Sequence, residues 1–166
     1  TKDARSVDVR HILIYPEGAD GTNISTEEFS DEAWEAAHTQ AQELLDTFLA
    51  GDQTEEEFAA LANEHSADPG SNQNGGLYEG VTEGEMVAAF NDWCFDPERQ
   101  VGDTGIVKTN YGYHVMYFSG STLLWKQYVR SDYVTEHANA LADEVAEKCP
   151  MTVQYSDILL ANSVIS

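Results

Sequence analysis

Positive charge is what this sequence has least of. Its 166 residues carry 8 Lys and Arg against 30 Asp and Glu, a formal net charge of −22. No Lys or Arg stands between Arg10 and Arg99. Nucleic acids and phosphorylated or acidic ligands are gripped by clustered cations, so neither is expected as a partner. The acidic excess reads as a solvated surface that favours solubility and limits non-specific binding. Cysteine is scarce too. Cys94 and Cys149 have neither CxxC spacing nor a neighbouring histidine cluster, which argues against a cysteine metal site. Cys94, within Trp93-Cys94-Phe95, reads as a small packed hydrophobe, and its pairing with Cys149 is left open. No apolar window is long enough to span a bilayer. There is no initiator Met and no signal peptide, so Thr1 reads as a cut end, with any membrane segment of a parent outside this chain. GxSxG, P-loop, HExxH and dinucleotide fingerprints are all missing.

What is present supports a core, since 42% of the residues are hydrophobic. Residues 1–6 read as a polar lead-in. Val7 to Tyr15 alternates as a strand, with Val7, Val9, His11, Leu13 and Tyr15 on one face and Arg10, Ile12 and Ile14 on the other. A loop follows, with a helical turn expected at Ser25–Phe29. From Asp31, Trp34, Ala37, Ala41, Leu44, Leu45 and Phe48 recur at the spacing of one buried helical stripe. Thr54 and Glu57 make a capping box that opens a second helix, with Phe58, Leu61 and Ala62 facing inward.

The stretch Phe58–Phe90 then packs turn chemistry against helical spacing. Asp68-Pro69-Gly70 is a turn, and Gly76–Glu79 a short strand. Thr82 and Glu85 are a further capping box, predicting a helix in which Met86 and Phe90 stack four residues apart. Asp96-Pro97 closes it. Gly105–Thr109 and Tyr113–Ser119 read as a hairpin turning at Asn110-Tyr111-Gly112, with His114, Met116 and Phe118 on one face. Strand, helices, strand, helix and hairpin in that order suit an α+β fold. A helical segment is expected over Ser121–Lys148, striped by Val134, Ala138, Leu141, Ala142 and Val145. Pro150 would end it, and Met151–Ile165 would hold a short extended stretch. By residue type His11, Asp68 and His114 are a conceivable zinc set, but nothing in the sequence fixes metal-ligand geometry, and two core histidines are the blander alternative.

Four motifs in order change the balance. Arg10-His11-Ile12-Leu13, FAALANEHSADPGS, NGGLYEGVTEGEMVAAF and VGDTGIVKTNYGYHVMYF resemble the successive motifs of the parvulin family of peptidyl-prolyl isomerases, over about residues 7–119. The resemblance implies a four-stranded antiparallel sheet wrapped by helices in the order βαααβαββ, with 120–166 as a helical extension. That extension is either part of a chaperone arm or a helix that docks on the domain. The resemblance further implies that His11 and His114 meet on neighbouring central strands, with Asp68 and Thr109 in the same hydrogen-bonded cluster. Leu77, Met86 and Phe90 would form the pocket for a substrate proline, with Tyr111 where some members carry a serine.

The implied activity is cis/trans isomerisation of X–Pro bonds in unfolded or exported polypeptides, without metal or cofactor. Phosphate-dependent members carry a basic loop after the first strand, whereas PEGADGTNISTEEFSDE here is acidic, so no phosphopeptide requirement is expected. The overall pattern is most similar to parvulin domains of bacterial extracytoplasmic foldases, which implies an extracytoplasmic location. The rival expectation is a parvulin fold that holds unfolded chains without catalysis.

Overall fold

The structure, a computed structural model, describes residues 4–148. Four strands form one antiparallel sheet. They are β1 (Arg5–Ile14), β2 (Leu77–Thr82), β3 (Thr104–Lys108) and β4 (Tyr113–Leu123), in the spatial order β2-β1-β4-β3. Chain order differs from sheet order, so the first and last strands become central neighbours. Three helices pack around them: α1 (Asp31–Ala50), α2 (Glu55–His65) and α3 (Ala88–Phe95). The chain divides into two compact units, Thr1–Leu124 and Trp125–Ser166.

The alternation of β1 and β4 sorts the core into two layers. Ile12, Ile14, Val115 and Tyr117 meet the α1 stripe (Ala37, Ala41, Leu44, Phe48) and Phe58 and Ala62 of α2. Val7, Val9, Met116 and Phe118 meet Phe90 and Cys94 of α3, with Val81 and Val107. Each helix is where its apolar spacing requires a partner. Ser30 caps α1 by accepting the Ala33 N–H, and Thr54 caps α2 by accepting that of Glu57.

Several boundaries differ from the sequence reading, each for a local reason. Arg5 and Ser6 belong to β1, because β4 runs on to pair Arg5 with Leu123, and the Arg5 guanidinium donates to the carbonyls of Phe95 and Asp96. The turn after β1 lies at 21–26 and is organised by Asp20 Oδ1, which accepts from the Thr22 and Asn23 N–H groups. Two helices separate β1 from β2, where the resemblance implies three; a run of turns at 69–76 takes the remaining place. Glu85 does bond back to Thr82, at 2.9 Å to its N–H, but the bonded turn does not continue as helix. α3 opens only at Ala88, with Val87 as N-cap. Met86 therefore precedes the helix that carries Phe90.

The second unit is described by α4 (Leu124–Lys148), whose Val134, Leu141 and Val145 are exposed. The expectations for Cys149, Pro150 and Met151–Ile165 lie outside the described residues. Among the described residues no helix is long and apolar enough to cross a membrane.

Backbone pairing ties the 66–76 loop to β1 at two places. The Leu13 N–H donates to Ser66 Oγ at 3.1 Å and the Ala67 N–H to the Leu13 carbonyl at 2.8 Å, while the His11 N–H donates to the Gly76 carbonyl at 2.9 Å. Gly76 has φ +69°, and a Cβ there would run into the His11 carbonyl. Gly76→Ala should therefore lower stability by roughly 3 kcal/mol, through left-handed strain and loss of this tie, as read by chemical denaturation.

Candidate active site

The staple on β1 leaves the 68–71 turn hanging over His11. In the β1–β4 register Leu13 faces His114 and His11 faces Met116, so the two histidines are diagonal neighbours on one face of the sheet. Their rings lie nearly parallel, with Nδ1 to Nδ1 at 3.0 Å. Beyond His11, its Nε2 lies 3.0 Å from Asp68 Oδ2. Beyond His114, its Nε2 lies 2.9 Å from Thr109 Oγ1, which also accepts the Tyr111 N–H at 3.1 Å. Asp68, His11, His114 and Thr109 thus form one continuous hydrogen-bonded chain, with His11, His114 and Thr109 buried.

One charge sets every direction along that chain. The hydrogen bond from His11 holds the Asp68 carboxyl well below the usual carboxylate range; bonds from Ser71 and the Gly70 N–H add to this, against the opposing effect of burial. Asp68 is consequently an acceptor at neutral pH, and the His11 proton resides on Nε2. In neutral His11 the Nδ1 lone pair then faces His114, which must carry its own proton on Nδ1. That leaves His114 Nε2 to accept from the Thr109 hydroxyl. Burial, with neighbouring His11 adding and Asp68 opposing, pulls His114 down to about 3.

Asp68, His11 and His114 form the polar floor of a cavity of about 400 Å³ lined by Leu13, Met86, Phe90 and the tyrosines Tyr15, Tyr78 and Tyr111 among others, while Thr109 does not line it. Phe90 meets both imidazoles edge-on, at 5.4 Å from His11 and 5.5 Å from His114. It is wall and clamp at once. Of the apolar residues expected at the pocket, Met86 and Phe90 line it and Leu77 does not. Leu77 pairs with Arg10, on the opposite face of the sheet, so the alternation of β2 brings Tyr78 to the cavity instead. Ser71 was also not anticipated. It is buried and donates to Asp68 Oδ2 at 2.5 Å. Its position three residues after Asp68 in a turn was the available signal. Groups of three or more His, Cys, Asp or Glu suited to a metal ion are absent among the described residues.

The sequence pattern of the PPIC-type PPIASE domain matches residues 1–121. The chain belongs to that family of peptidyl-prolyl isomerases. It is 44% identical over 62 residues to foldase protein PrsA 3 of Bacillus cereus, covering 37% of this chain and 21% of that protein. It is 36% identical over 87 residues to foldase protein PrsA 1 of Listeria monocytogenes, covering 52% and 28% respectively. The chain spans less than a third of the length of these curated relatives. Among solved structures, one from a study of two SurA-like chaperones of Campylobacter jejuni superposes with a TM-score of 0.54 at 24% identity, over 93% of this chain and 57% of that one. The parvulin fold is therefore shared, with an α+β sheet and a C-terminal helix.

Buried His114 gives the parvulin domain a defined response to acid. Its folded pKa lies below the ordinary 6.5, so the unfolded chain binds that proton first. Stability is fully present above pH 6.5 and is lost as pH falls from there towards about 3. Asp68, depressed from 3.8, acts in the same direction at the lower end. In denaturant titrations His114→Gln should flatten this decline between pH 6 and 4, by up to about 1.4 kcal/mol per pH unit.

Proposed function

We propose that this chain catalyses cis/trans isomerisation of X–Pro bonds in unfolded, exported polypeptides, without covalent chemistry. The observation that carries this reading is the hydrogen-bonded chain from Asp68 to Thr109 under an apolar cavity walled by Met86 and Phe90. Rotation of a peptide bond faces a barrier of about 18–20 kcal/mol because the twisted amide loses resonance. The two ends are nearly balanced at X–Pro, so favouring the twisted state over both is sufficient. Met86 and Phe90 would hold the proline ring while the preceding carbonyl swings. The polarised network beneath would favour the altered charge distribution of the twisted amide. His11, Asp68, Thr109 and His114 orient and tune that network rather than move a proton to substrate, and Tyr111 contributes to the cavity rim.

The same reading includes independence from phosphate. The Lys and Arg described in the first unit are Arg5, Arg10, Arg99 and Lys108, and none lines the cavity. Arg5 serves the end of α3, Arg10 pairs with Glu55, Arg99 stacks on Trp93, and Lys108 lies over Trp34. Similarity to proteins named foldases supports polypeptide clients for the longer protein, and an extracytoplasmic setting is part of the same proposal.

A proline-limited refolding assay and a protease-coupled peptide assay test the proposal. The unsubstituted chain should accelerate both, and Met86→Ala should lower kcat/KM by about tenfold or more through the lost proline contact. Suppressed aggregation with no isomerisation in either chain would leave a holding module and sink the enzyme. Replacing His11 or His114 singly by Asn should slow turnover while binding persists. Complete loss of rate for His11→Asn alone would instead mark a direct chemical role. Lysine-proline peptides should turn over at least as fast as phosphoserine-proline ones, and a preference for phosphate would overturn that part of the reading.

A further inference from the structure

Asp68 collects more donors than its bond to His11 requires. Its Oδ2 accepts from His11 Nε2 at 3.0 Å, from Ser71 Oγ at 2.5 Å and from the Tyr78 hydroxyl at 3.0 Å. The Gly70 N–H takes Oδ1 at 3.1 Å. Ser71 and Gly70 lie on Asp68's own turn, so their bonds belong to the folding of that turn. Tyr78 comes from a different element, β2, and only the strand's alternation brings it there. It is half-buried, its ring is tilted against His11 at 5.3 Å between centroids, and it lines the cavity.

A carboxylate oxygen shared among donors pulls less strongly on each of them. We propose that Tyr78 is a positioning residue: by sharing Asp68 Oδ2 with His11, it limits the pull of the carboxylate on the His11 Nε2 proton and so sets the bond that His11 offers to His114. The hydrogen bond is independent of any activity, while its catalytic consequence rests on the isomerase reading above. The phenol stays protonated in this role. Burial first, then the bond to Asp68, pushes it up to about 12. Around the pair, the titratable side chains facing the network are Asp68 from the turn, Tyr78 from β2 and, across the cavity, Tyr15, Glu85 and Tyr111. The described Lys and Arg of the first unit are engaged elsewhere.

Tyr78→Phe in the full chain tests this, because it keeps the ring and removes only the donor. At neutral pH the His11 Nε2 proton resonance should move downfield as Asp68 turns more fully to His11. The acid limb of the kcat/KM profile should move to higher pH, because a less neutralised Asp68 favours the protonated pair. kcat should fall about three- to tenfold, the worth of one hydrogen bond, with KM within about twofold of the original. An unchanged imidazole resonance and acid limb, with only a lower melting temperature, would overturn the proposal and leave Tyr78 a packing residue. A raised KM at constant kcat would overturn it as well, leaving a cavity wall. An unsubstituted chain inactive on X–Pro peptides would overturn the isomerase reading and the catalytic half of the proposal, while the imidazole shift still decides whether Tyr78 tunes the network.

Discussion

An ionised carboxylate in the polar floor of an otherwise largely apolar cavity is the constraint on which the site depends. Asp68 is kept charged by the donors around it, and that charge fixes the tautomer of His11, then that of His114, then the direction of the Thr109 hydroxyl. Buried polar networks stabilise a fold only when each member is satisfied. Here each link is satisfied in one arrangement of protons, so the site enters any encounter with its dipoles already oriented. Preorganisation of this kind is what a reaction without bond making or breaking can draw on.

The fold exists, from the viewpoint of that network, to bring four distant parts of the chain together. Sheet order puts β1 beside β4, so residues separated by almost the whole domain meet through their rings. The loop after α2 is held on the other edge of β1 by Leu13 and His11 backbone groups, and α3 closes the face with Phe90. The helices on the far face contribute no catalytic candidate. They make the central strands rigid by burying Ile12, Ile14, Val115 and Tyr117.

Much of this was legible in the residues because strand alternation and turn chemistry are local. His11 and His114 fall on the faces that their neighbours predict, and the parvulin-like motifs bring Asp68 and Thr109 into the same cluster. What escaped was decided between elements. Whether Leu77 or Tyr78 faces the cavity depends on the pairing of β2 with β1, and a shift of one residue reverses the answer. The Thr82–Glu85 bonds formed as their spacing requires, yet the helix waited until Ala88, so a capping pattern located a turn without locating the helix. Ser71 reads as loop polarity in sequence, and only the fold over β1 turns it into a buried donor.

The scarcity of cations, with Arg5, Arg10, Arg99 and Lys108 the four described in the first unit, has an effect at a distance. Each keeps its positive charge, whether it meets neutral carbonyls, an aromatic ring or the carboxylates of Glu55, Asp96 and Asp103, but 8 Lys and Arg against 30 Asp and Glu leave the field of the acids dominant. Outside the molecule the potential is therefore negative over a wide solid angle, softened only by mobile counterions within a Debye length of about 8 Å at physiological ionic strength. Under the proposed activity, an extended polypeptide approaching the cavity would be sorted by that field before any side chain touched it. Basic stretches would be drawn in and acidic stretches turned away, with dissolved salt setting how sharply the distinction is made.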